Sequence, residues 1–326
     1  MLNAFTVDVE DYYHVSAFAQ RITPRQWDGF ESRVVPNTHR VLQLLERFDT
    51  RATFFVLGWV ADRFPRLVRD IHNAGHEIGC HSYWHRLVYD MCPDEFQLDL
   101  ALSCDALQQI TGKPVVAYRA PSFSITARSF WAVDILLDQG VRFDSSIFPV
   151  RHDRYGMPHA PRFPHKIHRP RGELWEFPGS VRKLWGSHVP VGGGGYFRLY
   201  PLPLTLRWLR YINDQEQQPF MFYIHPWELD PHQPRLSGSL LSRLRHYVNL
   251  ASTEVKLEQL LTAFSFGTLS EVLQGRLGPM KSAPQVVVSE TEHPSPAGEL
   301  VAAEAAKGGV GCTDFSFRRE KAAASE

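Results

Sequence analysis

Residues 2–11, LNAFTVDVED, begin the pattern of strands and helices that decides the fold class. A mostly apolar run ends here in a cluster of acids. Residues 2–7 have the composition of a strand that is buried inside a sheet. Side chains alternate between the two faces of a strand, so Asp8 and Glu10 are expected on the same face. The chain therefore begins with a buried strand that delivers two carboxylates to one side, and a third acid, Asp11, follows directly.

Strand and helix patterns alternate along the chain as far as residue 263. Short apolar or β-branched runs predict further strands at residues 52–57, 76–81, 115–119, 141–144 and 220–225. Apolar stripes, capping residues and closing glycines predict helices at residues 37–48, 65–74, 94–110, 129–139, 202–212 and within 238–263. This alternation indicates an α/β fold with a mainly parallel sheet, for which a (β/α) barrel is the natural closed form.

The most conspicuous polar side chains follow directly after predicted strands. They are Asp8, Glu10, His81, Arg119, Asp144 and His225. Folds built from parallel strands and helices place their chemistry at the carboxyl ends of the strands. We therefore expect these side chains to meet in one cleft.

The composition is that of a globular protein without net charge. The 326 residues are 44% hydrophobic, and 35 basic residues balance 35 acidic ones. This balance argues against nucleic acid or an anionic membrane as the main partner, although it leaves room for a local basic patch. The N-terminus lacks the pattern of a signal peptide, and no apolar run has the length of a transmembrane segment. We therefore expect a soluble, cytoplasmic protein.

The composition changes near residue 276. Residues 276–326 are rich in small and polar residues, proline and glycine, which is typical of a disordered tail. Residues 1–275 are therefore expected to form one folded domain that carries the chemistry, with no catalytic role for the tail. Within this domain, the glycine run at residues 192–195 predicts either a close approach of the backbone to a ligand chain or a flexible loop.

The pentapeptide HSYWH, residues 81–85, places two histidines four residues apart. Two imidazoles at this spacing can bind one zinc ion, which in catalytic sites usually has three protein ligands and a water. An HxxxH pair alone is more often not a metal site, so this hypothesis needs a third ligand from elsewhere in the chain. The aromatic residues Tyr83 and Trp84 between the histidines fit a pocket better than an open surface.

Three further motifs supply the groups that hydrolysis at a metal would need. Asp8 and Glu10 in one cleft can take separate roles, one as a metal ligand and one as a base. Arg119 can hold a carboxylate through two parallel hydrogen bonds. His225, at the end of a predicted strand, is a candidate general acid. Each motif alone is also compatible with a solvated strand end or a surface residue.

Taken together, the motifs resemble those of the polysaccharide deacetylases of the NodB-homology type, carbohydrate esterase family 4. The five segments are Asp8-Val9-Glu10-Asp11, His81-Ser82-Tyr83-Trp84-His85, Arg119-Ala120-Pro121, Asp144-Ser145-Ser146 and Tyr223-Ile224-His225, in the order of the family. The stretches TVDVEDYYHV, GGGGYFRLYP and FYIHPWELD also resemble a branch that accompanies exosortase and exopolysaccharide gene clusters. The chain departs from the family at Val9, because most members have two adjacent aspartates there.

The resemblance implies a distorted (β/α) barrel of about seven strands with a divalent metal, zinc by preference. The metal ligands would be His81, His85 and Glu10, with Asp11 as the alternative to Glu10. Asp8 would act as the base.

The resemblance also implies roles for the residues around this centre. Arg119 would orient Asp8, His225 would act as the acid, and a backbone N–H near Ser122 would bind the oxyanion. Asp144 would be structural and orient Arg119 or His225. Supporting or substrate-contacting roles fall to Pro121, Ser122, Asp144, Tyr83, Trp84 and Trp227, the aromatic ones as surfaces for stacking sugars.

The implied activity is hydrolysis of N-acetyl groups on the amino sugars of a polysaccharide, in exopolysaccharide biosynthesis. The substrate would be the polysaccharide or a lipid-linked oligosaccharide precursor, and no nucleic acid partner is expected. Two alternatives keep the fold. One is an amidohydrolase for a small cyclic imide or ureide, and the other is a relative that binds glycans without turnover.

Overall fold

A computed structural model describes residues 1–19, 21–152 and 155–275. The predicted disordered tail, residues 276–326, lies outside the described residues. No helix in the described part of the chain combines the length and the apolar character that are needed to cross a bilayer.

The described residues form eleven strands and ten α-helices. The strands are β1 (Leu2–Val9), β2 (Thr53–Val56), β3 (Glu77–Cys80), β4 (Ala117–Tyr118), β5 (Phe143–Asp144), β6 (His165–Arg169), β7 (Gly172–Glu176), β8 (Val181–Leu184), β9 (Ser187–Pro190), β10 (Met221–Ile224) and β11 (Ser265–Gly267). The helices are α1 (Val34–Arg47), α2 (Gly58–Arg63), α3 (Pro65–Asn73), α4 (Pro93–Thr111), α5 (Ala132–Asp138), α6 (Gly194–Leu199), α7 (Leu202–Asp214), α8 (Leu240–Tyr247), α9 (Thr253–Ala263) and α10 (Leu269–Leu273).

Seven parallel strands form the body of the main sheet, in the order β10-β1-β2-β3-β4-β5-β7. Strand β11 pairs in parallel with the start of β1, and β6 pairs antiparallel with the outer edge of β7. Strands β8 and β9 form a separate hairpin. The prediction of an α/β fold with a mainly parallel sheet of about seven strands is confirmed.

Backbone outside the strands packs beside β10, in the stretch of chain between β7 and β10. The amide of Met221 donates to Ser180 Oγ at 2.8 Å, and the amide of Tyr223 donates to the Gly192 carbonyl at 2.8 Å. A Cβ atom at Gly193 would lie 2.0 Å from the Tyr223 carbonyl oxygen. The glycine run thus packs its backbone against β10, which neither interpretation of the run from sequence anticipated.

Strand β1 places alternate side chains on opposite sides of the sheet. Phe5, Val7 and Val9 are buried in the larger core, between the sheet and the helices. Ala4 belongs to a second core on the inner side of the curved sheet. By the alternation of a strand, Asp8 shares this inner side with Ala4. The Asp8 carboxylate therefore lies on the inner side of the sheet.

Several predicted helices have different boundaries in the structure, and a local reason is visible for two of them. Helix α1 begins at Val34 rather than at residue 37, because its first amides are bonded to the Asp11 carboxylate from a distant segment. The region 238–263 is two helices, since Asn249 between them adopts a left-handed φ of 53°. Helices α2, α6 and α10 and strands β6 to β9 and β11 are not among the predicted elements.

Two carboxyl groups face each other at the ends of β5 and β7. Asp144 pairs with Glu176 across the two strands, and both side chains are fully buried. Ser146 Oγ donates to Asp144, and the amide of Ile147 donates to Glu176 Oε1 at 3.0 Å. Burial raises the pKa of Asp144 to about 6. Burial and the neighbouring Asp144 charge raise the pKa of Glu176 well above its ordinary value.

This pair predicts that the wild type loses stability relative to Glu176→Gln as the pH rises from about 5 to about 8. The folded carboxyls hold protons that the unfolded chain releases above its ordinary pKa, so the free energy of unfolding falls with rising pH, by on the order of 1–3 kcal/mol. Urea unfolding of both proteins at the two pH values measures the difference. Glu173→Gln, at an exposed position of β7, is the control. Equal pH dependence of wild type and Glu176→Gln would contradict the assignment.

Candidate active site

The carboxyl ends of four parallel strands deliver the predicted chemical groups to one cavity. Its volume is about 210 Å³. The predicted site residues in its wall are Asp8, Glu10, His81, His85, Ser122, His225 and Trp227. A larger groove of about 810 Å³ lies along α1 and contains none of the predicted site residues. The sequence-based expectation of one cleft therefore corresponds to the smaller cavity.

Glu10, His81 and His85 form a cluster that can bind a metal ion. One candidate ligand atom from each side chain lies within 4.8 Å of the others, and all three residues are buried. His85 Nε2 lies 3.3 Å from Glu10 Oε2. Ligands at 2.0–2.1 Å from a tetrahedral zinc ion lie about 3.3 Å apart. Glu10 Oε2 makes no hydrogen bond among the described residues although it is buried, so the residues present fit a divalent metal.

The protonation of His81 suits a metal ligand. Its Nδ1 lies 2.8 Å from the backbone carbonyl of Arg119. A carbonyl can only accept, so the proton is on Nδ1 and the lone pair of Nε2 is left for a metal. Burial lowers the pKa of His81, and it lowers that of His85 to about 4, so both rings favour the neutral form. A neutral ring is the form in which histidine binds metal.

Asp99 on α4 shapes the turn between the two histidines. Its carboxylate accepts from Ser82 Oγ at 2.6 Å, from the Tyr83 amide at 2.8 Å and from the Trp84 amide at 3.2 Å. These bonds hold a turn in which Ser82 and His85 have left-handed φ values of 69° and 53°. Asp99 is a functional residue that sequence reasoning missed, and no local motif marks it.

Arg119 holds Asp8 through a buried ion pair. Its Nη1 lies 2.7 Å from Asp8 Oδ1 and 2.8 Å from Thr6 Oγ1. Nε and Nη2 bond to the Ser145 carbonyl and hydroxyl at 3.2 and 3.0 Å. The guanidinium has no solvent exposure and lies over the Phe55 ring at 4.4 Å. Asp8 is therefore fixed in orientation at the cavity wall.

The structure places Asp144 differently from the expectation. Its carboxyl bonds to Ser146 and faces Glu176, whereas Arg119 is bonded to the neighbouring Ser145. Asp144 forms no hydrogen bond with Arg119 or His225 among the described residues. In the segment Asp144-Ser145-Ser146, Ser145 is therefore the residue that contacts Arg119. The Asp144 side chain is directed toward β7 instead.

His225 is held between two acids. Its Nδ1 lies 2.7 Å from Glu228 Oε1, and its Nε2 lies 3.1 Å from Glu10 Oε1 and 3.9 Å from Asp8 Oδ2. Burial alone would lower the pKa of His225, but Glu10 and Glu228 raise it to about 10. The ring therefore favours the protonated form that a general acid needs.

Glu228 is in turn fixed by a buried arginine. Glu228 Oε2 accepts from Arg198 Nε at 2.6 Å, and both side chains are almost fully buried. Arg198 also donates to the backbone carbonyls of His246 and Val248. Sequence reasoning missed Glu228 and Arg198. The position of Glu228 three residues after His225, where its carboxylate also accepts the His225 amide at 3.1 Å, was the available signal.

Asp11, the alternative third ligand, lies away from the histidines. Its Oδ2 accepts from Ser32 Oγ at 2.7 Å, from the Arg33 amide at 2.8 Å and from the Val34 amide at 3.1 Å. The carboxylate therefore sits at the N-terminus of α1, where the helix dipole favours negative charge. Of the two acids, the structure brings Glu10 and not Asp11 to His81 and His85.

The predicted supporting residues divide into two groups. Ser122 is in the cavity wall, and its hydroxyl lies 2.7 Å from that of Ser16. Trp227 is 4% exposed and stacks on the His246 ring at 4.2 Å and near the His225 ring at 5.1 Å. Its faces are therefore occupied by two histidine rings rather than open to a sugar.

Three other predicted residues do not line the cavity of the candidate site. They are Tyr83, Trp84 and Pro121. The Tyr83 hydroxyl donates to Asp62 at 2.8 Å, and the Trp84 ring lies 4.8 Å from that of Tyr83.

The cluster predicts that zinc affinity depends on His81 and not on Asp8. We expect His81→Ala to weaken zinc binding at least about 100-fold, because even partners behind a ligand cost 10–100-fold. Asp8→Asn keeps its shape beside Arg119 and should bind zinc within about threefold of the wild type. Isothermal titration calorimetry of metal-stripped protein measures both. An equal loss in Asp8→Asn would show that Asp8 is a ligand.

Comparison with known proteins agrees with the motifs. Residues 28–140 match the model of the Polysaccharide deacetylase family, and residues 145–274 match a domain of unknown function, DUF3473. A peptidoglycan-N-acetylglucosamine deacetylase from Bacillus cereus is 31% identical over 120 residues, which are 33% of this chain and 44% of that protein. A chitooligosaccharide deacetylase from Azorhizobium caulinodans is 31% identical over 108 residues, 32% of this chain and 51% of that protein.

The matches with these two relatives thus span about half of their own lengths or less. A solved structure from Mycobacterium smegmatis, described as a polysaccharide deacetylase, has a TM-score of 0.58 at 18% identity and covers 88% of this chain and 93% of its own. That likeness concerns the fold. The match at residues 28–140 includes the HSYWH and Arg119 motifs, whereas Asp8, Glu10 and His225 lie outside it. The chain therefore carries a polysaccharide deacetylase domain, and its curated relatives include deacetylases from Bacillus cereus and Azorhizobium caulinodans.

Proposed function

We propose that the protein is a metal-dependent hydrolase that removes N-acetyl groups from the amino sugars of a polysaccharide. The observation that carries this proposal is the convergence on one cavity of a cluster that can bind a metal, an arginine-paired aspartate and a histidine held between two carboxylates. The two relatives compared above are named as deacetylases of N-acetylated sugars, which supports the same reaction class.

Glu10, His81 and His85 would hold the metal. When bound, a divalent ion, zinc by preference for this donor set, supplies a Lewis acid that polarises the acetyl carbonyl and acidifies water. Cobalt, nickel or iron also suits two imidazoles and a carboxylate.

Asp8 would take the proton of the attacking water. Its Oδ1 is occupied by Arg119, and its Oδ2 is the oxygen nearer to His225, at 3.9 Å. Asp8 is thus held with one oxygen toward the cavity. Arg119 cannot lose its proton, so it compensates the carboxylate charge and fixes its direction. A backbone N–H near Ser122 would stabilise the oxyanion that forms on the acetyl oxygen.

His225 would give its Nε2 proton to the departing amine nitrogen. The carbon–nitrogen bond then breaks and yields acetate and a free amino sugar. Glu228 on Nδ1 keeps the ring oriented and stabilises its positive charge before the transfer. The buried Arg198 fixes Glu228 through its hydrogen bond to Glu228 Oε2, the oxygen that does not contact His225.

The proposed biological role and the identity of the substrate rest on the sequence alone. The TVDVEDYYHV, GGGGYFRLYP and FYIHPWELD stretches support a role in exopolysaccharide biosynthesis, with the polymer or a lipid-linked oligosaccharide as substrate. The cytoplasmic location stays a prediction.

Acetate release is the test of this function. We expect zinc-reconstituted protein to release acetate from N-acetylglucosamine oligomers or the native exopolysaccharide, and metal-stripped protein to release none. Asp8→Asn should lower kcat by about 10²–10⁴-fold, because it removes the base. Asp62→Asn, which changes an acid bonded to Tyr83, is the matched control and should keep its activity. Release only from cyclic imides or ureides would contradict the sugar substrate, and glycan binding without any release would indicate a relative that only binds.

Glu228 provides a second test. Glu228→Gln should lower kcat by roughly 10–100-fold with little change in zinc affinity, because the residue acts on the His225 ring and not on the metal ligands. Arg198 retains three backbone carbonyl partners in this variant, so we expect it to fold. Thermal melting checks that point, and Glu254→Gln at the surface is the control. Unchanged kcat would show that Glu228 does not act through His225.

A further inference from the structure

Helix α8 exposes three leucines to solvent. Leu240 is 83% exposed, Leu241 55% and Leu244 64%. Successive residues of a helix are rotated by about 100°, so these three side chains fall within about 100° of arc. His246, on the opposite side, is the one fully buried residue of the helix. Helix α8 therefore presents a continuous apolar face outward.

Exposed arginines border this apolar face. By the same rotation, Arg243 and Arg245 lie on its two flanks, and Arg235 precedes the helix. The sequence contains no Asp or Glu between Asp230 and Glu254. The segment is therefore positively charged, although the chain as a whole carries no net charge.

The two acids that bound the segment are already paired. Asp230 forms an ion pair with Arg33 at 3.1 Å, and Glu254 forms one with Arg40. They are therefore engaged outside the segment and do not compensate its arginines.

Helix α8 also forms part of the cavity wall. Ser242, Arg245 and His246 line the same cavity as Glu10 and His225. By the same rotation, Ser242 and His246 lie on the side of α8 that turns away from the leucines, so the leucine face and the cavity are on different sides of one helix.

We propose that residues 235–245 dock the protein onto a lipid bilayer that carries anionic headgroups. The leucines enter the interface, and the flanking arginines contact headgroup phosphates, which is the chemistry of interfacial amphipathic helices. Lipid binding goes beyond the proposed function and does not depend on it. Its consequence rests on that function: docking would keep the protein at the membrane surface, where a substrate such as a lipid-linked oligosaccharide is also held.

Charge favours a bilayer over a second copy of this chain. A two-fold dimer would bring the same patch of each copy together. Arg243 and Arg245 would then face their own counterparts with no acid in the segment to compensate them. An anionic surface complements both the apolar face and its basic flanks.

The test is sedimentation with vesicles of phosphatidylcholine, with and without phosphatidylglycerol. We expect the full chain to bind the anionic vesicles and to bind neutral ones at least about tenfold more weakly, with binding reduced by salt.

The triple variant Leu240→Ser, Leu241→Ser, Leu244→Ser should lose at least about tenfold in binding to anionic vesicles. Arg235→Gln with Arg243→Gln should lose the preference for them. Leu98→Ser, at a position of α4 that is 57% exposed, is the matched control and should bind as the wild type does.

Three results would overturn this proposal. The first is wild-type protein that does not bind anionic vesicles, and the second is a triple serine variant that binds them as well as the wild type does. The third is a wild-type dimer in sedimentation velocity that the triple variant disperses, without vesicle binding. Acetate release from soluble oligomers by the triple variant separates the two proposals. Retained release with lost vesicle binding supports docking, and vesicle binding without release in any protein would contradict only the hydrolase.

Discussion

The buried guanidinium of Arg119 is the constraint on which the candidate site depends. It has no solvent exposure, and removing the partner of such a buried charge costs about 3–5 kcal/mol. Its bonds reach Asp8 and Thr6 on β1, Ser145 after β5 and the sulfur of Met221 on β10. The Arg119 guanidinium thus forms hydrogen bonds to residues on or directly after three different strands. Asp8 is held by this arginine, and Glu10 is the acid that forms a cluster with the two histidines.

Strand alternation and the parallel arrangement of the strands predicted where the candidate groups meet, whereas the role of each group came from the family resemblance. A period of two places Asp8 on the inner side of β1, and the carboxyl ends of parallel strands bring His81 and His225 to the same place. The groups that hold this centre could not be predicted in the same way. Asp99 lies on α4 and bonds to a turn that precedes that helix, and Asp11 bonds to the first amides of a helix that begins 23 residues later along the chain. Such partners are set by tertiary packing rather than by local pattern.

The chain between β7 and β10 shows where sequence patterns lose information. Strands β8 and β9 form a separate hairpin there, and irregular backbone at Gly192 bonds to β10, so period-two alternation predicts little of this region. Gly193 is the instructive position, because its backbone lies too close to Tyr223 for any side chain. The same region supplies Arg198, which supports His225 through Glu228. The candidate acid therefore depends on residues 145–274, outside the segment that matches the deacetylase family.

The most direct test of the account is a crystal structure of the zinc-loaded protein with anomalous diffraction measured at the zinc edge. We expect one strong peak, bound by the Glu10 carboxylate and by the His81 and His85 rings, with Asp8 still paired to Arg119. A zinc ion bound by Asp8 or Asp11 in place of Glu10, or a peak elsewhere with this cluster empty, would contradict it.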